Sequence, residues 1–146
     1  MKENDFYTLK GYEQKYHNKI TGSMEDYLEM ICRCAESENT VRINTLAKRL
    51  NVRPSSASKM VTHLKEEGLV EFERYSTVRP TKKGWELGEY LLYRHALLHR
   101  FFCFINRSDC EIEQVEQIEH YIDRRTIKNM ESLLDKMQLL RADGTL

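Results

Sequence analysis

The sequence predicts a mostly α-helical protein that opens with a winged helix-turn-helix, helices plus a two-stranded wing, and continues as an all-α C-terminal half. Three observations carry this. Apolar residues recur at helical spacing through most of the chain. A three-residue break, Asn51-Val52-Arg53, separates two short amphipathic helices, the second opening with Pro54-Ser55-Ser56. Directly after them a run alternates in the manner of a strand and then returns.

Taken in order, residues 1–20 show no convincing period and read as an arm. The first clear helix starts near Gly22-Ser23, with Ser23 placed to cap it and Met24, Tyr27, Leu28, Ile31 and Ala35 on one face. Ile43, Leu46, Ala47 and Leu50 mark a helix of two to three turns. Pro54 suits the first position of the next helix, where a missing N–H costs nothing. That helix turns Ala57, Met60, Val61 and Leu64 inward and stops at Gly68. Leu69 to Tyr75 alternates, Ser76-Thr77 makes a tip, and Val78-Arg79-Pro80-Thr81 returns. Because Pro80 donates nothing to a ladder, the return strand must be short or at an edge. A long helix follows from Lys82 to about Ile105, with Trp85, Leu91, Leu92, Leu98, Phe101 and Phe102 on its stripe. Ser108 or Asp109 is expected to cap a helix burying Val115, Ile118 and Ile122, and Asp123 to cap the last, burying Ile127, Met130, Leu134 and Met137.

Composition bounds the function classes. The chain has 146 residues, 40% hydrophobic and 32% charged, enough for one compact domain or two small ones. Its apolar runs are too short to cross a bilayer, and Met1-Lys2-Glu3-Asn4-Asp5 lacks the order of a signal peptide, so a cytoplasmic location is expected. Cys32, Cys34, Cys103 and Cys110 form no C-x-x-C pair, which argues against disulfides and zinc knuckles. Formal net charge is zero, but its distribution is uneven. Residues 41–83 carry ten Lys/Arg against four Glu, a net of +6, while the segments on either side each sum to −3. A basic middle between acidic flanks suits one face for phosphates and another for cations.

In a helix-turn-helix, the start of the second helix meets base edges. Here that stretch supplies Arg53, Pro54, Ser55, Ser56, Ser58, Lys59 and Thr62, and the wing adds Arg74 and Arg79. Small hydroxyls allow close approach to the major groove, and the cations reach phosphate or guanine. Double-stranded DNA is therefore the expected partner, although serines at a helix start also serve simply as caps.

The acidic segments hold a second pattern. Glu116, Glu119 and His120 stand at i, i+3 and i+4, Asp26 and Glu29 at i and i+3, and His95 lies within the long helix. Carboxylates with a minority of imidazole suit hard or borderline divalent ions such as Mn(II), and soft metals are disfavoured. Each piece alone is weak: Glu-x-x-Glu-His is more often a solvated helix face, and a lone histidine more often core or surface.

Together, the runs Ser23 to Glu29, Arg53 to Val61, Glu67 to Val70, Thr81 to Gly84, Arg94-His95 and Glu116 to His120 resemble the diphtheria-toxin-repressor (DtxR) family of metal-dependent, iron-dependent-repressor-type regulators, nearest its manganese-transport-regulator (MntR) branch. The likeness covers about residues 21–138. Between the arm over 1–20 and a tail over 141–146, it implies a winged DNA-binding domain over 21–83, a linker helix over 84–105 and a metal-binding dimerisation domain over 106–140. It also implies a homodimer on a palindromic operator and a binuclear site held by Asp26, Glu29, His95, Glu116, Glu119 and His120. Iron-responsive members carry sulfur ligands where this chain has Asp26 and Glu116, so Mn2+ is expected to control metal-uptake genes, with Fe2+, Zn2+ or Co2+ as substitutes. Departures are Pro80 for an aliphatic wing residue, Ser76-Thr77 for an Arg-Gly tip, and His99 where iron-type members place a glutamate.

The switch expected is electrostatic: four carboxylates repel the first helix from the C-terminal half until a cation neutralises them. One rival is an iron-responsive or broader divalent-metal repressor. Another is a di-metal hydrolase, disfavoured because no general acid or nucleophile motif accompanies the carboxylates; a third is a metal-independent regulator with an organic effector. The expectation is thus a non-enzyme with no membrane and no organic small-molecule substrate as partner.

Overall fold

The structure, a computed structural model, describes residues 7–16, 19–73 and 77–145. Among these the fold is mostly helical. Part of the arm is itself a helix, α1 (Leu9–Tyr16), which buries no residue. Thr8 Oγ1 accepts from Gly11 N, Tyr12 stacks on Tyr16, and Lys15 lies over the rings of Tyr7 and Tyr16. An aromatic pair at i, i+4 supports it, where apolar periodicity predicts nothing.

Helix α2 (Gly22–Glu38) begins two residues ahead of the Met24 start that a Ser23 cap would give, so Thr21, not Ser23, is its N-cap and accepts from Met24 N at 3.2 Å. It ends where Asn39 turns left-handed at φ 63°. Its face of Met24, Tyr27, Leu28, Ile31 and Ala35 is buried as the spacing predicts, and Cys32, Cys34 and Glu29 are buried too. Strand β1 (Val41–Arg42) leads into α3 (Ile43–Leu50), whose C-cap Asn51 is left-handed at φ 54°. Helix α4 (Pro54–Glu66) places Pro54 in its first turn and buries Ala57, Val61 and Leu64.

The wing is larger than two strands. β2 (Val70–Phe72) and β3 (Thr77–Pro80) pair antiparallel, and β1 adds a third strand in the order β1-β3-β2. The return strand is therefore short but central. β1 pairs only with Thr77 and Val78, so Pro80, opposite Val70 at the end of β3, lies beyond it. A proline is tolerated in a central strand at the point where the ladder is already one-sided. Thr77, expected in the tip, is instead the first residue of β3, and its expected tip neighbour Ser76 lies, with Arg74 and Tyr75, outside the described residues.

Helix α5 (Lys82–Asn106) starts at the N-cap Thr81 and joins two apolar clusters. The first gathers α2, α3, α4 and the sheet, with Leu28, Ile31, Leu46, Leu64 and Leu91 fully buried. The second gathers Leu97, Leu98, Val115, Ile127 and Leu134. Glycines let α5 run close to the first: a Cβ on Gly84 would fall 1.9 Å from the Leu69 carbonyl oxygen, and one on Gly88 2.3 Å from Cys32 Sγ.

Beyond α5, neither Ser108 nor Asp109 caps a helix. Helix α6 (Ile112–Ile118) begins after Glu111, whose carboxylate accepts from the Ser108 hydroxyl. It then tightens into a 3-10 turn (Glu119–Tyr121) before α7 (Arg124–Ala142). Asp123 caps α7 by accepting from Thr126 N at 2.7 Å, as expected.

Candidate metal centre and nucleic-acid interface

Six ionisable side chains converge where α2, α5 and the α6–turn segment meet. Glu29 on α2 is buried at the flank of the face that also buries Leu28 and Cys32, and His95 comes from α5. His95 Nδ1 stands 3.2 Å from Glu119 Oε2, 3.6 Å from Glu116 Oε1 and 3.8 Å from Glu29 Oε1. A ligand atom from each of these four lies within 4.8 Å of the others. Asp26, Glu119 and His120 form a second such group. Glu119 belongs to both and is 2% exposed.

The 3-10 turn explains the division. Continued α-helix would keep Glu116, Glu119 and His120 on one stripe. Because the helix tightens after Ile118, His120 leaves that stripe and meets Asp26 instead, Nε2 to Oδ1 at 2.9 Å. A cleft of about 440 Å³ lined by Thr21, Gly22, Asp26, Glu116 and His120 opens the group to solvent.

The electrostatics are those of crowded carboxylates. Burial, then the neighbouring Glu119, push Glu29 up to about 7, and burial and Glu119 also raise Glu116. The hydrogen bond to Glu119 raises His95, and the Asp26 and Glu25 carboxylates raise His120 to about 10. Among the described residues, two buried carboxylate oxygens, Asp26 Oδ1 and Glu29 Oε1, lack an aligned hydrogen-bond donor, although Arg33 Nη2 lies 3.6 Å from the latter. For Asp26 this holds despite the short distance to His120, which is an ion pair without the hydrogen-bond angle. Unsatisfied buried carboxylate oxygens facing other carboxylates are costly unless a cation completes them. The donor set, oxygen-rich with one imidazole per group and no sulfur, fits a hard or borderline divalent ion.

Two further residues belong to this region and are not distinguished by the carboxylate spacing. Arg94, 4% exposed, donates to Glu25 Oε2 at 2.6 Å, and the same oxygen lies 3.6 Å from His120 Nδ1. Burial would raise Glu25, but the neighbouring His120 ring and the Arg94 guanidinium outweigh it and hold the carboxyl below its usual range. The signal for Arg94 is its position: it interrupts the buried Leu91, Leu98 stripe, and a cation there demands a partner. His99 stands apart from both groups, with Nε2 3.5 Å from Cys103 Sγ.

In the helix-turn-helix, Arg53, Pro54, Ser55, Ser56, Lys59 and Thr62 are exposed along the start of α4, while Ser58 is half-buried. Thr62 Oγ1 donates back to the Ser58 carbonyl. Arg79 is exposed on β3 and ion-paired with Glu71. Arg74 lies outside the described residues. Lys65 and Lys83 donate to the carbonyls of Phe72 and Glu67, which ties those two lysines to the wing and to the end of α4.

Residues 19–78 match the family model described as iron dependent repressor, N-terminal DNA binding domain, and residues 81–139 match the iron dependent repressor, metal binding and dimerisation domain. The HTH-type transcriptional regulator MntR of Oceanobacillus iheyensis is 38% identical over 116 residues, covering 79% of each chain. That of Shouchella clausii is 40% identical over 119 residues, covering 81% of this chain and 83% of the relative. Among solved structures, the manganese regulator SloR superposes with a TM-score of 0.69 at 25% identity over 77% of this chain. A manganese-dependent transcriptional repressor in complex with manganese gives 0.68 at 28% identity, again over 77%. The chain spans about half the length of these two solved chains, 53% and 52%. With both halves matched in order and a mostly helical fold in common, the chain belongs to the iron dependent repressor family of metal-dependent, DNA-binding transcriptional regulators.

Proposed function

We propose that this protein is a manganese-responsive repressor of metal-uptake genes, acting in the cytoplasm as a homodimer on a palindromic DNA operator. The observation that carries the metal reading is Glu119, one buried carboxylate common to two donor groups. It supports a binuclear site, with Glu29, His95 and Glu116 on one side of Glu119 and Asp26 and His120 on the other. Manganese is favoured over softer ions by four carboxylates and no sulfur in the set. The names of the relatives and of the solved manganese regulators point the same way. Fe2+, Co2+ and Zn2+ are the expected substitutes.

A bound divalent cation would supply the positive charge that cancels the repulsion among Asp26, Glu29, Glu116 and Glu119. The protein's own part is positional. Asp26 and Glu29 sit on α2, and the same helix packs on α3 and α4 through Leu28 and Ile31. Fixing α2 against α5 and the 3-10 turn therefore fixes α4, whose first turn presents Arg53, Ser55, Ser56 and Lys59 to base edges and phosphates. In a homodimer this sets the separation of two reading helices, and differential affinity of a few kcal/mol suffices for the switch.

Fluorescence anisotropy with operator DNA, with and without Mn(II), tests the reading. Mn(II) should tighten binding at least tenfold in the native chain and have no effect after Glu119→Ala with His120→Ala. Equal affinity with and without the ion would overturn it.

A further inference from the structure

Resting on the metal reading above, we propose that Glu25 and Arg94 are positioning residues that aim His120 Nε2 into the centre, Glu25 being the acceptor for the ring N–H on the opposite side. An imidazole that ligates through one nitrogen carries its proton on the other, and that N–H needs an acceptor. His120 Nε2 faces Asp26 at 2.9 Å, which leaves Nδ1 turned the other way. The carboxylate oxygen recorded near Nδ1 is Glu25 Oε2, 3.6 Å away, and a shift of a few tenths of an ångström completes the bond.

Glu25 is not free to wander. The Arg94 guanidinium donates to the same oxygen at 2.6 Å, and both side chains are largely out of solvent, 5% and 16% exposed. Arg94 Nη2 lies 3.4 Å from His120 Nδ1, and because both are donors when Nδ1 carries the proton, the guanidinium acts on the ring through the Glu25 oxygen the two share. The ring is confined as well by the start of α2, since a Cβ on Gly22 would lie 3.1 Å from His120 Cδ2 and Cγ. Glu25 and Gly22 come from α2, Arg94 from α5 and His120 from the 3-10 turn, so three elements hold one imidazole.

Stepwise Mn(II) binding to the intact protein, by calorimetry and by electron paramagnetic resonance, distinguishes this from a fold-holding ion pair. The native chain should take up two equivalents and give the spin-coupled signal of a pair of ions. In Glu25→Ala the equivalent that uses His120 should weaken on the order of 10- to 100-fold, with the other unchanged, so that a mononuclear six-line signal persists at one equivalent and beyond. Glu25→Gln, which keeps an acceptor oxygen, should recover most of the loss, and Arg94→Ala should weaken the same step. Unaltered two-step binding in Glu25→Ala would overturn the proposal. So would equal weakening of both steps together with a lower melting temperature of the metal-free protein, which marks a merely structural role. If the native chain itself binds no Mn(II), the metal reading falls and this inference with it.

Discussion

Glu119 Oε2 lies 3.2 Å from His95 Nδ1 while the same side chain also faces Asp26 and His120, so a single buried carboxylate joins the two halves of the centre. Its removal is expected to damage both halves, whereas removal of a peripheral ligand should damage one. Glu119→Ala should lose two equivalents of bound Mn(II), and His120→Ala one. Affinity in Glu119→Ala should fall by at least about 100-fold, which corresponds to ~3 kcal/mol. Metal analysis after buffered dialysis reads both; a Glu119→Ala protein that still retains two ions would contradict the shared role.

The pH dependence follows from the direction of three shifts. The metal-free protein holds protons on His95, on His120 to about 10 and on Glu29 to about 7, because each faces carboxylates or is buried. Ligation needs neutral imidazoles and ionised carboxylates, so Mn(II) uptake must release protons, and affinity should rise with pH from about 6 upward. The stability sign is opposite in the metal-free chain. A histidine raised in the fold contributes stability that is complete below its unfolded pKa, near 6.5, and is lost as pH climbs through the folded one. A raised Glu29 likewise disfavours the fold once it must ionise. The melting temperature without metal should therefore fall from pH 6 to 9 while the increment given by Mn(II) grows. Calorimetry in buffers of different ionisation heat measures the protons; release of none, or an affinity that falls with pH, would be incompatible with this electrostatics.

Much of this centre was legible before any fold, and the reasons are particular. Asp26 with Glu29, and Glu116 with Glu119, sit three residues apart, which is adjacency on any helix. The likeness to a known family joined these pairs to His95 across the chain. Arg94 and Glu25 were not legible as a pair, because their contact depends on α2 meeting α5, 69 residues apart in sequence. The 3-10 turn was hidden for a similar reason: Glu119 to Tyr121 carry no local signal against continued helix. The third strand escaped because Val41–Arg42 is too short to show alternation. The N-cap moved from Ser23 to Thr21 since both residues offer the same hydroxyl and only the start of the helix decides between them.

Packing at Gly88 gives a prediction with an internal control. A Cβ there would fall 2.3 Å from Cys32 Sγ, and Cys32 is fully buried between α2 and α5. Gly88→Ala should destabilise the protein by about 1–3 kcal/mol, the usual range for an overpacked core. Cys32→Ala removes the clashing sulfur and leaves only a Cβ contact of 3.3 Å. The double variant should therefore recover at least about 1 kcal/mol relative to the sum of the singles. Urea denaturation measures all four proteins, and strict additivity would show that the helices move apart instead.

The wing gives a prediction of gain. Arg79 is exposed on β3 but is ion-paired with Glu71 on the neighbouring strand, so its charge is partly spent within the sheet. A phosphate contact made by a cation such as Arg79 or Lys59 would act through counterion release and add about 0.9 to the slope of log affinity against log salt. Glu71→Gln removes a negative charge beside Arg79 and leaves the strand pairing Glu71↔Arg79 in the backbone intact. DNA affinity should rise a few-fold at low salt, for operator and unrelated duplex alike. Lys59→Ala should lower affinity and flatten the salt slope by about 1. Anisotropy titrations between 50 and 200 mM salt, about the range over which such contacts lose most of their strength, resolve both. If Glu71→Gln weakens binding instead, the Glu71–Arg79 pair orients the guanidinium toward DNA, and restraint of its charge is not its effect.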